Sequence, residues 1–130
     1  MNNYEMEIGK DELLGILNNY YLRKFNKKVN VKVEIEKEYD YYEDEYFVAK
    51  LYYNDSIELL GHKATRKVNI SDAEIIDALN ELLIHENYEV DYIVRNLEEK
   101  TVGKYKDEHT ESVFAGIKLS IRKKHILVKK

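Results

Sequence analysis

Carboxylates and phenol rings are concentrated between Glu34 and Phe47, a pattern that could serve electrostatic recognition of a cationic partner. The carboxylates belong to Glu34, Glu36, Glu38, Asp40, Glu43, Asp44 and Glu45, and the phenols to Tyr39, Tyr41, Tyr42 and Tyr46. In a continuous strand, the first four carboxylates would share one face at intervals of about 6.6 Å. Such a row resembles the phosphates of a nucleic-acid backbone in sign and spacing.

Two interpretations of this acidic segment remain open. In the first, it is a hairpin that docks on the basic groove of a nucleic-acid-handling protein, where the field guides the encounter and the tyrosines supply contact area. An inhibitor of a defence nuclease, made by a phage or mobile element, would be one form. The residues assigned to this partner-binding site are Glu34, Glu36, Glu38, Asp40, Tyr41, Tyr42, Glu43, Asp44 and Glu45. In the second, the charges are solvated and keep an exposed strand edge from aggregating.

Tyrosines near cations in the sequence suggest a different kind of site, because a phenol ring stacks on a nucleobase while arginine and lysine hold phosphate. The candidate residues for binding a nucleotide ligand form two sets. The first, near the end of the first predicted helix, is Tyr20, Tyr21, Arg23 and Lys24, and the second is Tyr92 and Arg95, with Tyr88 beside them. The same spacings are common in a core or on a sheet face, so that interpretation also stays open. A basic stretch from Lys118 onward could contact phosphates, but the net charge of −4 argues against a dedicated nucleic-acid-binding domain.

Catalytic chemistry finds little support in the sequence. No nucleophile elbow, P-loop or glycine fingerprint occurs, and the absence of cysteine excludes thiolate chemistry and disulfides. The histidines are scattered, and no two have the spacing of metal ligands on a helix. Asp107, Glu108, His109 and Glu111 cluster in a stretch that is more typical of a solvated loop than of a metal site. We therefore expect a non-enzymatic protein with no cofactor.

The composition is that of one folded domain spanning residues 1–130, since 44% of the residues are apolar. No apolar run is long enough to cross a membrane, and the polar segment from Met1 to Glu7 is unlike a signal peptide. We expect a cytoplasmic protein without membrane contact. A third class, a structural subunit that forms a homo-oligomer, stays open because exposed strand edges and oppositely charged segments favour self-association.

The elements that would position these side chains follow from periodicity and capping residues. Apolar residues at helical spacing predict a first helix from Asp11, as N-cap, to Phe25. A capping box of Ser71 and Glu74 opens a second helix that ends at Asn87. Alternation and apolar runs predict strands at 29–36, 46–53, 57–68, 88–94 and 113–123, with a turn at 54–56, a candidate bulge at Gly61 and a short edge at 126–128.

The order of elements is therefore α-β-β-β-α-β-β, and the fold class is α+β. We expect a mostly antiparallel sheet of about five strands with two helices packed on one face. The first three strands should form an antiparallel meander. The polar stretch from Arg95 to Glu111 is longer than an ordinary hairpin loop, so it is either a mobile or functional loop or an extension of the flanking strands into a long hairpin.

Overall fold

The computed structural model describes residues 3–25, 30–59 and 62–124, with the backbone alone at 55–59 and 62–64. Its elements are, in order, β1 (Asn3–Gly9), α1 (Lys10–Lys24), β2 (Val31–Tyr39), β3 (Glu45–Leu59), β4 (His62–Ile70), α2 (Asp72–Leu82), β5 (Tyr88–Val102) and β6 (His109–Lys123). The α+β class is confirmed. Within these ranges no helix is long and apolar enough to cross a membrane. Gly61 and the edge predicted at 126–128 lie outside the described residues.

The strands form two sheets instead of the single five-stranded sheet that the sequence predicts. Strands β2, β3 and β4 make one antiparallel sheet, which confirms the predicted meander, and β1, β6 and β5 make the other. Sequence reasoning missed β1, although Tyr4, Met6 and Ile8 alternate with acids; of these three side chains, only Ile8 is buried. Strand β1 gives the β5–β6 hairpin a third strand, without which a two-stranded sheet is marginally stable.

The chain divides into two compact units. One comprises residues 14–79 and contains the β2-β3-β4 sheet, and the other comprises the residues up to 13 and from 80 onward and contains the β1-β6-β5 sheet. The buried apolar side chains of the first are Leu17, Tyr21, Val33, Phe47, Ala49, Leu51, Ile70, Ile75, Ala78 and Leu79. Those of the second are Ile8, Leu13, Val90, Phe114, Ile117, Leu119 and Ile121.

Helix α2 begins as predicted and ends earlier. The N–H of Glu74 donates to the Ser71 hydroxyl at 3.2 Å, and the Glu74 carboxylate accepts from the Ser71 N–H at 3.4 Å, which confirms the capping box. The helix ends at Leu82 instead of Asn87. In its last turn, the side-chain oxygen of Asn80 accepts the N–H of Val90 at 2.7 Å.

Helix α1 has nearly the predicted bounds, but its predicted cap is wrong. The helix already begins at Lys10, one residue after β1 ends, so Asp11 lies inside the first turn and not at the N-cap. A carboxylate in the first turn still interacts favourably with the positive end of the helix dipole. The acid therefore marks the helix start correctly, although it does not occupy the capping position.

The turn predicted at 54–56 is wrong. Strand β3 continues to Leu59 and β4 begins at His62, so the predicted third strand is divided between the two. The pairing register shifts between Asn54 and Glu58. The turn-forming residues are thus accommodated as an irregularity of the ladder, of the kind that inserts extra residues into one strand.

The polar stretch 95–111 extends the β5–β6 hairpin. The register of the two strands continues to the pair Val102 and His109. Because β1 pairs with β6 only from Gly116 to Arg122, the hairpin beyond this point is two-stranded, and most of its side chains are exposed. The chain reverses through Gly103, which has a φ of 93°.

Candidate interaction site at a tyrosine-rich hairpin tip

The acidic row predicted on β2 does lie on one face of the β2-β3-β4 sheet. In the antiparallel register Glu34 pairs with Lys50, Glu36 with Val48 and Glu38 with Tyr46. Side chains two residues apart on a strand point to the same side. The row therefore shares its face with the cation Lys50 and with a phenol from the neighbouring strand.

Each of the three strand carboxylates has a partner within the same unit. Glu38 pairs with Lys50 and accepts the Tyr46 hydroxyl at 2.9 Å. Glu36 accepts the Tyr52 hydroxyl at 2.9 Å and lies 3.3 Å from the ammonium of Lys67. Glu34 lies 2.7 Å from the ammonium of Lys32. The row is consequently matched by the cations beside it and does not present an uncompensated line of negative charge.

Lys50 is the buried centre of this polar face. Its exposed fraction is 7%, and its ammonium donates to the Asn69 side-chain oxygen at 2.5 Å in addition to its pair with Glu38. The hydrogen bonds from Lys50 and Tyr46 hold the pKa of Glu38 below its usual value. A buried cation is costly without a counter-charge. The structural role of Glu38 is therefore to compensate the charge of Lys50.

The loop between β2 and β3 is ordered by Asp40. One oxygen of its carboxylate accepts the N–H of Tyr42 at 2.8 Å and that of Asp44 at 2.9 Å. Two backbone hydrogen bonds of 3.0 Å close the same loop, from Glu43 to the Asp40 carbonyl and from Asp40 to the Asp44 carbonyl. Glu43 has a φ of 62°, a left-handed conformation. Asp40, which the sequence analysis assigned to the partner-binding site, thus stabilises the turn through these hydrogen bonds.

We name residues 39–46 the hairpin tip, and its most prominent feature is exposed phenol rings. Tyr41 is 94% exposed and Tyr42 79% exposed. Their rings meet edge to face, with centroids 5.4 Å apart and planes at 89°. Tyr39 and Tyr46, at the ends of the flanking strands, are also exposed. Large aromatic side chains presented in this way are typical of interaction sites.

The charge of the hairpin tip comes from the residues that follow these rings. Glu45 lies 3.6 Å from the ammonium of Lys37, so its charge is partly compensated. Within the part of the chain that the structure describes, the exposed carboxylates of Glu43 and Asp44 have no ion-pair partner. Of the nine residues predicted to bind a partner, the tip therefore presents Tyr41, Tyr42, Glu43 and Asp44 outward.

The first predicted nucleotide set is brought together around α1, but its centre is in the core. Tyr21 is 3% exposed, and its hydroxyl donates to the carboxylate of Glu74 at 2.6 Å. Burial, followed by this hydrogen bond, raises the pKa of the Tyr21 phenol above its usual value. The Tyr20 ring contacts Tyr21 edge to face, and the Lys24 ammonium lies 5.7 and 5.8 Å from the two ring centroids. Tyr21 is thus occupied by structural contacts, and Arg23 lies on the exposed side of the helix.

The second predicted nucleotide set is not brought together. Tyr92 pairs with Ser120, and Arg95, three positions further along β5, pairs with Ile117. An odd separation along a strand places side chains on opposite faces. Tyr92 is half exposed, whereas Arg95 lies on the face that contains buried Ile117.

A shallow cleft lies where sequence reasoning assigned no site, at one end of the β2-β3-β4 sheet. Its volume is about 140 Å³, and it is lined by Asn30, Val31, Lys32, Tyr52, Tyr53, Asn54 and Thr65. Two of these residues are joined, since the Asn54 side-chain oxygen accepts the Thr65 hydroxyl at 3.2 Å. The lining residues come from three strands, so no local sequence pattern could have grouped them.

The acidic cluster near the β5–β6 turn is held by an internal interaction of His109. Its Nδ1 donates to the Asp107 carbonyl at 2.9 Å, and its Nε2 lies 2.9 Å from the Glu111 carboxylate. These two contacts raise the pKa of His109 above its usual value. Among the described residues, no group of three metal-binding side chains is assembled.

Two of the cations predicted as phosphate contacts on β6, Lys118 and Arg122, lie beside acids. Lys118 lies 3.7 Å from Glu7 on β1. Arg122 lies 3.0 Å from Glu89 and 3.2 Å from Asp91 on β5. This face of the β1-β6-β5 sheet is therefore a mixed-charge surface, unlike the dominant basic field of a nucleic-acid-binding domain.

Comparison of the chain with models of known protein families, with curated proteins and with solved structures finds no match. The function must therefore be inferred from the geometry and charge of the described residues.

Proposed function

We propose that this protein is a non-enzymatic binding protein that docks its hairpin tip on a cationic surface of a nucleic-acid-handling protein. The exposure of Tyr41 and Tyr42, 94% and 79%, is the observation that carries the proposal. Two rings that are largely exposed bury little apolar surface in the protein's own fold, whereas tyrosines rank among the residues that contribute most to binding energy at protein interfaces.

The order of the loop supports the same proposal. Asp40 accepts two backbone N–H groups and closes the loop, so the rings project from a defined turn. A preorganised contact loses less conformational entropy on binding than a flexible one. The hairpin tip is therefore suited to recognition of a partner with little rearrangement of its backbone.

Charge decides the kind of partner that we propose. Because Glu34, Glu36 and Glu38 are compensated internally, the attraction comes from Glu43 and Asp44, which directly follow Tyr42 in the chain. Acids at the rim of an interface mainly accelerate association with an oppositely charged surface. A protein groove that normally holds phosphates has this charge, and occupying it would inhibit its owner. An accessory protein of a phage or mobile element that blocks a defence nuclease is one form of this activity.

The test is affinity capture from the native host with three forms of the protein. The wild type is compared with a Tyr41→Ala/Tyr42→Ala double variant and with Tyr105→Ala, whose phenol is 93% exposed in the other hairpin turn. We expect one nucleic-acid-binding protein to be retained by wild type and Tyr105→Ala and lost by the double variant. Its purified form should release nucleic acid when wild type is added. Equal capture by all three forms would contradict the proposal.

A second candidate function, binding of a small planar ligand such as a nucleotide, is favoured by the cleft beside Tyr52. The cleft combines an aromatic side chain, the cation Lys32 and the amide of Asn54, which are the groups that contact a base and a phosphate. A nucleotide that binds the native state should raise the melting temperature, and Asn54→Ala should remove that shift. An unchanged melting temperature across a nucleotide panel would reject this candidate.

A further inference from the structure

We infer that the hairpin tip selects arginine over lysine on the surface of its partner. This inference rests on the proposed function and specifies the chemistry of the group that the tip binds. Its starting point is the right-angled corner between the Tyr41 and Tyr42 rings, whose planes lie at 89° with centroids 5.4 Å apart. Both rings are largely exposed, so a ligand can reach the ring faces that the two tyrosines do not cover in each other.

A corner of two aromatic rings distinguishes the two cations by shape. The guanidinium group of arginine is planar, so it can stack flat on one phenol face while its N–H edge points to the perpendicular ring. The ammonium of lysine is a compact, strongly hydrated point charge that must lose more water to make the same contact. The geometry of the rings thus favours the planar cation.

The two carboxylates that follow the rings in the chain add to the same preference. Glu43 and Asp44 directly follow Tyr42 in the chain and have no ion-pair partner among the described residues. A guanidinium can donate two parallel hydrogen bonds to a carboxylate while its plane stays stacked on a ring. An ammonium has no plane to stack and makes no such paired hydrogen bonds. Nucleic acid is a poor occupant of the same surface, since these two carboxylates repel phosphate.

The experiment uses two labelled peptides of equal length, alternating arginine with glycine and lysine with glycine, titrated with the full chain at physiological salt. We expect wild type to bind the arginine peptide about threefold more tightly than the lysine peptide, a preference of the size of a cation–π contact at an exposed site. Tyr41→Leu/Tyr42→Leu should reduce this ratio to near one, and Tyr105→Leu should leave it unchanged. Thermal melting of each variant checks that the fold is retained.

A charge variant separates stacking from attraction. Glu43→Asn/Asp44→Asn removes both carboxylates, and asparagine tolerates the positive φ at position 43. This variant should bind both peptides more weakly and keep part of the arginine preference. Equal affinity of wild type for the two peptides would overturn the inference and leave docking on a cationic surface intact. Absence of binding to either peptide would overturn both the inference and the proposed function.

Discussion

The hydroxyl of Tyr21 in α1 donates a 2.6 Å hydrogen bond to the carboxylate of Glu74 in the first turn of α2. The other carboxylate oxygen of Glu74 accepts the N–H and the hydroxyl of Ser71. One side chain thereby completes the capping box of α2 and fixes it to a buried residue of α1. The side chains of α1 and α2 that meet here belong to the unit that carries the hairpin tip.

We predict that Tyr21→Phe lowers the free energy of unfolding by about 1–2 kcal/mol, because a hydrogen bond to a carboxylate is lost at a site that is 3% exposed. Denaturant unfolding followed by circular dichroism measures the change. Tyr20→Phe is the matched control, since the described structure assigns no hydrogen bond to that hydroxyl, and it should have little effect. Equal losses in the two variants would show that the hydroxyl of Tyr21 is not the cause.

We predict that acid destabilises the protein through Glu38. Its folded pKa lies below the ordinary value of 4.5, so the unfolded chain takes up a proton at higher pH than the folded chain. The stabilisation is complete above the ordinary pKa and is lost as the pH falls through the lower, folded value. Replacement of Lys50 by methionine removes the main cause of the shift and should reduce this pH dependence, leaving the part that comes from the lowered pKa of Glu74.

The same acid titration provides the control for Lys50→Met. Lys32→Met removes a lysine whose side chain is 71% exposed and which pairs with Glu34, so it should leave most of the pH dependence below 4.5 in place. If Lys50→Met unfolds with the acid sensitivity of wild type, the Lys50–Glu38 pair does not contribute to stability as described.

We predict opposite effects of alanine at two glycines. Gly116 has a φ of 150°, and a methyl group there would collide with the main-chain oxygen of Ile8 on β1. Gly116→Ala should therefore destabilise the protein by more than about 1 kcal/mol. Gly15 lies in α1 with open space around it, and Gly15→Ala should stabilise by about 0.5–1 kcal/mol through helix propensity. Thermal unfolding of both variants tests the pairing of β1 with β6, and a neutral Gly116→Ala would contradict that pairing.

We predict that His109 titrates above its ordinary pKa of 6.5 because the Asp107 carbonyl and Glu111 stabilise its protonated form. A raised folded pKa means that this stabilisation of the β5–β6 turn is fully present below 6.5 and is lost as the pH rises through the folded value. A proton NMR titration of the His109 ring measures the pKa. Glu111→Gln should lower it, and Glu108→Gln should not. A pKa of 6.5 or below in wild type would contradict the contacts described.

Local patterns predicted most elements of this fold. The capping box at Ser71 and Glu74 and the alternation along β2 are determined by neighbouring residues, so the sequence alone identifies them. The division into two sheets arises because β6 pairs with β5 and with β1, at the other end of the chain, and not with a described strand of the β2-β3-β4 sheet. Pairing across such a sequence distance follows from packing of the whole chain and has no local signature, which is why the predicted single sheet was wrong.

The sequence identified which segment carries the acids and tyrosines of the candidate site. It did not identify which of these residues are structural and which are available to a partner. The sequence shows seven acids between positions 34 and 45, but it does not show that Lys50, Lys67 and Lys32 lie beside three of them. The separation of Tyr92 from Arg95 likewise depends on the face that each takes on β5. Distinguishing a structural carboxylate from one available to a partner requires the strand register.

The measurement that tests the central claim most directly is an ¹⁵N NMR titration of the full chain with the arginine–glycine peptide. We expect shift changes concentrated in residues 39–46, with the signals of Tyr41, Tyr42, Glu43 and Asp44 moving most, and little change at the equally exposed turn around Tyr105. Shifts confined to other acidic surfaces, such as Glu5 and Glu7 on β1, with the hairpin tip unaffected, would contradict the assignment of this tip as the binding site.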